Sequence, residues 1–422
     1  MVLVIAVVIV YHNALAAFFF DDDFQWLVTS WSFHPGQLIA FASMSHFYRP
    51  VIDVYFAVLT PLLGGSPVLF HAASIALHAA NVLIVFALAS RIGRSRLFGF
   101  VTALFFAVQP SDIDAVAWVG ALAEAIGALF GCLSLFWFLR WRDTGESRWK
   151  ILSVVVFALA LLTHESSVVF LPVLFLLDWQ IWRGQTPKPW RRRKDPPYTT
   201  GSQPSAADLR ILAPYLGLTA VYLALDLWIN SRNYVVSEGH YTIGVHIVTN
   251  ALNYIDALYV GRRDGLNYAV IAAGVVVLLV RGNARVRFAT CWMLLALAPF
   301  LSFNWGNTSR YLYQPAIGFS MLLAEGVMQL NRPRFRPVLA MLVAAIAIRF
   351  ALFAHANVGD FATRTQVYPR YLARFREAHG DIPSHSVVEP DREFAKEHPH
   401  QFANAAVQWE YRDATIQIRP YK

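Results

Sequence analysis

The sequence predicts an all-α, polytopic membrane protein, and three observations carry that prediction. Of its 422 residues, 57% are hydrophobic and only 15% are charged, where soluble domains carry about 25%. The mean hydropathy is +0.45. Apolar runs approaching the ~20 residues needed to cross a bilayer recur along most of the chain. The runs are continuous, without the alternation of barrel strands.

The apolar segments are 1–20, 68–90, 97–110, 119–139, 151–163, 167–182, 210–230, 265–280, 287–303, 311–330 and 337–355. They amount to roughly eleven transmembrane helices. Several are short, which suits tilted helices or a membrane face cut back around a cavity. The first resembles a secretory signal, with Ala14-Leu15-Ala16 as a cleavage-like site. It lacks a basic leader, which favours a retained helix.

The basic residues set the orientation. They gather at Arg91–Arg96, Arg140–Lys150, Arg183–Arg210, Arg281–Arg287 and Arg332–Arg336. By the positive-inside rule these clusters are cytoplasmic. The N-terminus is then cytoplasmic and the C-terminus lies outside. The net charge of +8 is thus a topology signal, and no nucleic-acid partner is implied.

Segment 240–264 carries Asn250, Asn253, Asp256, Arg262 and Arg263. Counting it as a span would invert everything after it, so it reads as an interfacial segment. The outer loop 21–67 is rich in aromatics and His, including Trp26, Trp31, His34 and His46. It predicts short helices on the membrane surface. The cytoplasmic loop 184–209 is proline-rich and basic, suited to anionic lipid. Residues 1–355 form the membrane domain. Residues 356–422 read as a small, mostly irregular extracytoplasmic extension, strand-like at Ala414–Ile418 and without a chemical motif. The two cysteines, Cys132 and Cys291, lie in apolar segments and read as packing residues.

With the topology set, polar residues from distant parts of the chain fall at the outer helix ends. They are Asp21, Asp22 and Asp23 after the first span, Asp112 and Asp114, Glu124 slightly further on, His164-Glu165, and Arg310-Tyr311. Charges at a membrane helix end have ordinary uses as caps, dipole partners and snorkelling anchors. Their convergence on one face is what a site at a membrane surface requires. A transporter would use the same acids as ion sites. Transporters place such groups near the midplane, in broken helices, often with internal repeats.

The order of motifs resembles the GT-C class of integral-membrane glycosyltransferases, and within it the protein O-mannosyltransferase and transmembrane O-mannosyltransferase-like proteins. The carrying residues are Asp22-Asp23-Phe24, Tyr48-Arg49-Pro50, His71 with Leu77-His78, Gln109 to Ala117, Thr163-His164-Glu165, Asp178, and Ser309 to Pro315. The likeness covers roughly residues 1–330. Gln109 and Asp112 stand where that family has His, Asp114 where it has Glu, Leu122 where it has Arg, and His164 where it has Lys. Such divergence points to a prokaryotic relative in a plasma membrane.

The resemblance implies a GT-C-like fold and inverting transfer of a sugar from a polyprenyl-phosphate carrier. The acceptor would be a hydroxyl of a protein, lipid or glycan on the extracytoplasmic face. It implies Asp22, then Asp23, as general base, and Asp114 as a second acid that orients the acceptor or holds a divalent ion. Arg310 is the first cation for the leaving phosphate, with Arg49, Arg262 and His164 behind it, and Glu165 and Tyr311 line the donor pocket. Asp22 and Asp114 are the acids that would bind Mg²⁺ or Mn²⁺. Within the triplet, Asp21 is left as the solvent-facing member. A flippase, or a family member without catalysis, is the alternative reading.

Overall fold

The computed structural model describes residues 1–39, 47–182, 206–230, 239–304 and 309–420. The proline-rich basic loop, including Arg183–Lys194, and His46 in the first outer loop lie outside the described residues.

The chain is built almost wholly from helices. The first half comprises α1 (Val2–Tyr11), α2 (Asp23–Ser30), α3 (Gly36–Ile39), α4 (Pro50–Leu62), α5 (Pro67–Ile92) and α6 (Arg96–Ala107). It continues with α7 (Ile113–Ala117), α8 (Ala123–Thr144), α9 (Ser147–Leu161) and α10 (Phe170–Leu176). The second half holds α11 (Ala206–Asn230), α12 (His246–Tyr259), α13 (Gly265–Arg281), α14 (Ala284–Leu297), α15 (Tyr313–Leu330) and α16 (Arg336–Thr365). The tail follows with α17 (Val367–His379), α18 (Arg392–Glu397) and α19 (His400–Tyr411). Strands β1 (Val387–Val388) and β2 (Gln417–Ile418) pair in parallel.

Among the described residues, four helical stretches are long and apolar enough to cross a bilayer: Pro67–Ile92, Val119–Thr144, Arg210–Ile229 and Pro333–His379. Four shorter apolar helices accompany them, Val2–Ala16, Pro50–Leu62, Arg96–Ala107 and Gly265–Arg281. The chain is a multi-pass membrane protein. The eleven runs of the sequence do not map one-to-one onto long helices. The run 167–182 breaks into a 3₁₀ turn (Glu165–Val169), the seven residues of α10 and a π turn (Leu177–Trp182). Hydropathy reports apolar length and is blind to such changes of winding.

Apolar residues from α1, α5, α6, α8, α14 and α15 make the main core, among them Val82, Phe106, Phe138, Trp292 and Tyr313. Two helices meet here at backbone distance. A Cβ on Gly318 of α15 would lie 2.7 Å from the Ala289 carbonyl oxygen and 2.8 Å from the Met293 nitrogen on α14. Because those atoms are backbone, no side-chain rotation can relieve the clash.

A second core lies beyond the first helix. Phe19, Phe24, Trp26, Phe56 and Phe70 from the loop 21–67 and its neighbours pack with Tyr368, Phe375, Phe394 and Val407 of the tail. Phe24 meets Tyr368 at 4.9 Å and Trp409 at 5.7 Å between ring centroids. This corrects the reading of 356–422 as mostly irregular: α17, α18 and α19 are regular helices, and α17 and α19 are amphipathic. The proposed boundary at 355/356 also falls inside α16. Polar residues such as Asp360 and Arg364 end the apolar run, but Val358, Phe361 and Ala362 stay buried and the helix continues to Thr365.

Close helix contact at Gly318 makes a stability prediction. Gly318→Val is expected to destabilise by about 1–3 kcal/mol through overpacking, read as a lowered unfolding temperature in detergent micelles. Gly274, where an added Cβ meets nothing within 4 Å, is the control. Gly274→Ala is expected to leave the transition unchanged or raise it, and equal effects at both sites would refute the close-contact account.

Candidate active site

The acidic triplet divides into three environments. Asp21 adopts φ +45°, a left-handed conformation that Asp tolerates better than most residues. This turn brings the chain back so that the Asp23 amide donates to the Phe20 carbonyl at 3.0 Å. Asp23 is fully buried. Its Oδ2 accepts from the Phe20 amide at 2.8 Å and its Oδ1 from the Gly120 amide at 2.5 Å. Both carboxylate oxygens are thus engaged by backbone amides, and Asp23, expected as a base after Asp22, does not line the cavity that Asp22 lines. Asp21 accepts from the Tyr368 hydroxyl at 2.6 Å and sits 3.6 Å from His398 Nδ1. It is tied to the tail, in place of the solvent-facing role expected of it.

Asp22 alone of the three lines a cavity of about 750 Å³. Its Oδ1 packs on Gly120 with no hydrogen-bond partner among the described residues. A Cβ on Gly120 would come within 2.4 Å of that oxygen, so only glycine permits this approach. Burial pushes the Asp22 carboxyl up to about 6; Arg310 and Arg49 pull it down, and Asp21 adds to the rise.

Arg49, Glu124, His164, Glu165, Arg310 and Tyr311 line the same cavity. They come from the start of α4, the first turn of α8, the turn after α9, and the 3₁₀ turn (Ser309–Leu312) before α15. Arg49 makes a two-pronged ion pair with Glu165, 3.0 Å from Nε to Oε2 and 2.6 Å from Nη2 to Oε1. Burial disfavours ionised Glu165, but Arg49 and His164 outweigh it and hold the carboxyl at about 2. Burial, with Arg49 and Arg310 nearby, lowers His164 to about 3. His164 is therefore a neutral imidazole at physiological pH. Its Nδ1 accepts from the Ser166 amide at 3.2 Å, an arrangement that assigns the proton to Nε2.

Arg310 differs from Arg49. It donates to the Tyr311 hydroxyl at 3.3 Å and lies over the Trp118 ring at 5.0 Å. No carboxylate comes within ion-pair distance of it among the described residues. A cavity-lining guanidinium without a carboxylate partner is suited to a phosphate.

Glu124, to which the sequence reading gave no role, is a further acid of the cavity beside Asp22 and Glu165. Its Oε2 accepts from the Ser166 hydroxyl and from Gln314 Nε2, each at 3.1 Å. A lone acid in the first turn of an otherwise apolar helix was the available signal. Asp114 does not line the cavity; it sits, half-buried, in the first turn of α7. Arg262 is exposed and also lies away. Of Asp22 and Asp114, expected together as divalent-cation ligands, only Asp22 lines this cavity. Among the described residues no group of three or more His, Cys, Asp or Glu has metal-binding geometry.

An aromatic wall closes one side: Phe300 stacks on Tyr311 at 4.1 Å, and Tyr241 meets Phe303 at 4.6 Å. Tyr241 reaches it because the segment before α12 runs beside residues 302–304, with the Thr242 amide donating to the Ser302 carbonyl at 2.9 Å. The tail contributes too: His400, Gln401, Phe402, Asn404, Ala405 and Gln408 line the cavity. Nothing in the tail's composition marked these residues.

The sequence matches no family profile. Over 193 residues it is 26% identical to Protein O-mannosyl-transferase TMTC1 of Mus musculus and 25% identical to the same protein of Homo sapiens. The match takes in 40% of this chain and 20% and 22% of those proteins. The chain thus spans about a fifth of the length of the curated relatives it matches. Two solved structures are similar over 99% of the chain. One is the oligosaccharyltransferase of Archaeoglobus fulgidus tethered with an acceptor peptide containing the NVT sequon (TM-score 0.53, 12% identity, 63% of that chain). The other is ArnT from Cupriavidus metallidurans bound to undecaprenyl phosphate (TM-score 0.54, 11% identity, 85% of that chain). These likenesses show that the chain shares the fold of those two solved structures, the GT-C-like fold that the order of its motifs predicts.

Proposed function

We propose that the protein transfers a sugar from a polyprenyl-phosphate carrier to an acceptor hydroxyl, with inversion, on the extracytoplasmic face. One observation carries this reading: a single cavity pairs a carboxylate tuned near neutrality, Asp22, with Arg310, a cation free of carboxylate partners among the described residues. The bound carrier of ArnT and the bound acceptor peptide of the oligosaccharyltransferase make a lipid-phosphate donor and a protein acceptor the first classes to try.

The chemistry follows from the two groups. The acceptor oxygen attacks the anomeric carbon while its proton passes to Asp22. The bond from that carbon to the phosphate oxygen breaks, and its electron pair leaves with the phosphate. A hydroxyl is a poor nucleophile until a base takes its proton. The departing phosphate gains charge, which Arg310 stabilises. Arg49, already neutralised by Glu165, shapes the pocket and adds little net charge. Neutral His164 supplies a hydrogen bond in place of the cationic role expected of it. Glu124 replaces Asp114 as the second acid and orients the acceptor.

Helix α8 supports the placement on the outer face. Glu124 opens it at the cavity, and Arg140 and Arg142 lie near its other end, 22 residues being the full length of the helix. That is about 33 Å, close to one hydrocarbon thickness.

Three outcomes test the reading in membranes supplied with a panel of polyprenyl-phosphate sugars and analysed by mass spectrometry. Asp22→Asn is expected to lower kcat by about 10²–10⁴; wild-type transfer by this variant would refute the base assignment. In the wild-type enzyme kcat/KM should fall as pH drops below about 6, because the base must be ionised and burial raises Asp22 to that value. A flat profile from pH 5 to about 8 would count against Asp22. Gly120→Ala should impair transfer by displacing Asp22, whereas retention of full activity would show that the close Gly120 contact does not position the base.

A further inference from the structure

One cavity holds two arginines with carboxylate neighbours, and the two behave differently. Arg49 closes on Glu165 at 2.6 and 3.0 Å. Arg310 and Asp22 line the same cavity, and each acts on the other's charge. They nevertheless form no ion pair among the described residues. Opposite charges attract strongly where water is scarce, so the separation of this second couple has a physical cause.

Trp118 is the residue that meets both. Arg310 Cζ lies over its ring, 5.0 Å from the centroid, within cation–π range. The indole N–H acts on the Asp22 carboxyl and favours its charged form. That N–H is buried and makes no full hydrogen bond among the described residues, so it is not committed elsewhere. The residue is anchored at three points. Its amide donates to the Asp114 carbonyl at 3.1 Å, and its carbonyl accepts from the Ala121 amide at 3.1 Å. Its ring meets Phe20 edge-on at 5.8 Å. Two residues on, Gly120 donates to Asp23 and makes room for Asp22. The short turn between α7 and α8 thus sets the acid and, through one indole, the cation as well.

The charged groups acting on Asp22 are Asp21 and Asp23 of its own segment, Arg49 at the start of α4, and Arg310 before α15. Glu124, His164 and Glu165, with His400 of α19, share the cavity. Arg310 has the strongest hold of these charges on Asp22. Its distance is therefore what sets how good a base Asp22 can be.

We propose that Trp118 is a positioning residue: its indole holds the Arg310 guanidinium on its face and stops it from closing on Asp22, so that acid and cation stay separate within one cavity. The kinetic consequences rest on the transfer reaction above; the spacing of the two charges does not. A closed pair like Arg49–Glu165 would leave Asp22 a weaker base and Arg310 with less charge to offer a leaving phosphate.

The test uses the full chain in lipid nanodiscs and has two arms. In the first, infrared spectroscopy titrates the protonated-carboxyl band that Asp22→Asn removes. Trp118→Ala frees Arg310 to pair with Asp22, so the midpoint should fall by about 1–3 pH units. Trp118→Phe keeps the aromatic face and loses the N–H, so its midpoint should stay or rise. Where Trp118→Ala does not fold, Trp118→Leu, which has bulk but no π face, should show the same fall. In the second arm, with whichever carrier-linked sugar the wild-type enzyme turns over, the acid limb of kcat/KM should move down in Trp118→Ala with the midpoint. The donor KM should rise about three- to tenfold in that variant and stay within about twofold of wild type in Trp118→Phe. A role in folding alone would lower the yield of active enzyme and leave the acid limb in place. An unmoved midpoint in Trp118→Ala or Trp118→Leu, or a fall of equal size in Trp118→Phe, would overturn the proposal. Absence of transfer by the wild-type protein from every carrier would overturn the transfer reading, and the infrared arm would still decide the role of Trp118.

Discussion

Asp23 holds the site together. Its two carboxylate oxygens clamp the Phe20 amide and the Gly120 amide, tying the end of the first helix to the turn that opens α8. Two backbone amides from separate parts of the chain, each aimed at one oxygen, fix where this buried carboxyl sits. With Asp23 fixed, the left-handed turn at Asp21 leaves Asp22 one direction to point, and Gly120 provides the space. The carboxylate that lines the cavity is positioned by a neighbour that does not line it.

That clamp also explains the electrostatics. Asp22 is set in a place where burial raises its affinity for a proton, while the nearest cations stop the rise near neutrality. Arg49 and Arg310 share the cavity but differ in what they can offer. The first is committed to Glu165, and the second faces the cavity with only a tyrosine hydroxyl and an indole ring for company. A site for a leaving phosphate needs the second kind of cation, because a guanidinium already paired with a carboxylate has less charge to give.

The tail is part of this arrangement. Tyr368 and His398 reach Asp21, and the rings of Phe24, Tyr368 and Phe394 pack into one aromatic core. The loop after the first helix could not bury its Phe and Trp residues against lipid headgroups alone. It finds an apolar face on α17 and α19 and, in doing so, brings Gln401 and Asn404 to the cavity rim.

Much was legible in residue order. The apolar runs, the basic clusters and the low charge content specify a helical membrane protein, because a bilayer tolerates few other patterns. Asp22, Arg49, His164, Glu165 and Arg310 were identifiable as polar residues at one set of helix ends, and they do line one cavity. Residue order could not tell Asp22 from Asp23, nor Asp114 from Glu124, since each pair has like chemistry and differs only in which way the side chain faces. That direction depends on the turn at Asp21 and on the unwinding between Asp112 and Glu124, both local backbone events with no hydropathy signature. The role of the tail was hidden for a related reason. Its polar residues acquire meaning only when long-range packing sets α19 against α2, and such contacts between residues some 385 positions apart, as Phe24 and Trp409 are, are decided by tertiary structure alone.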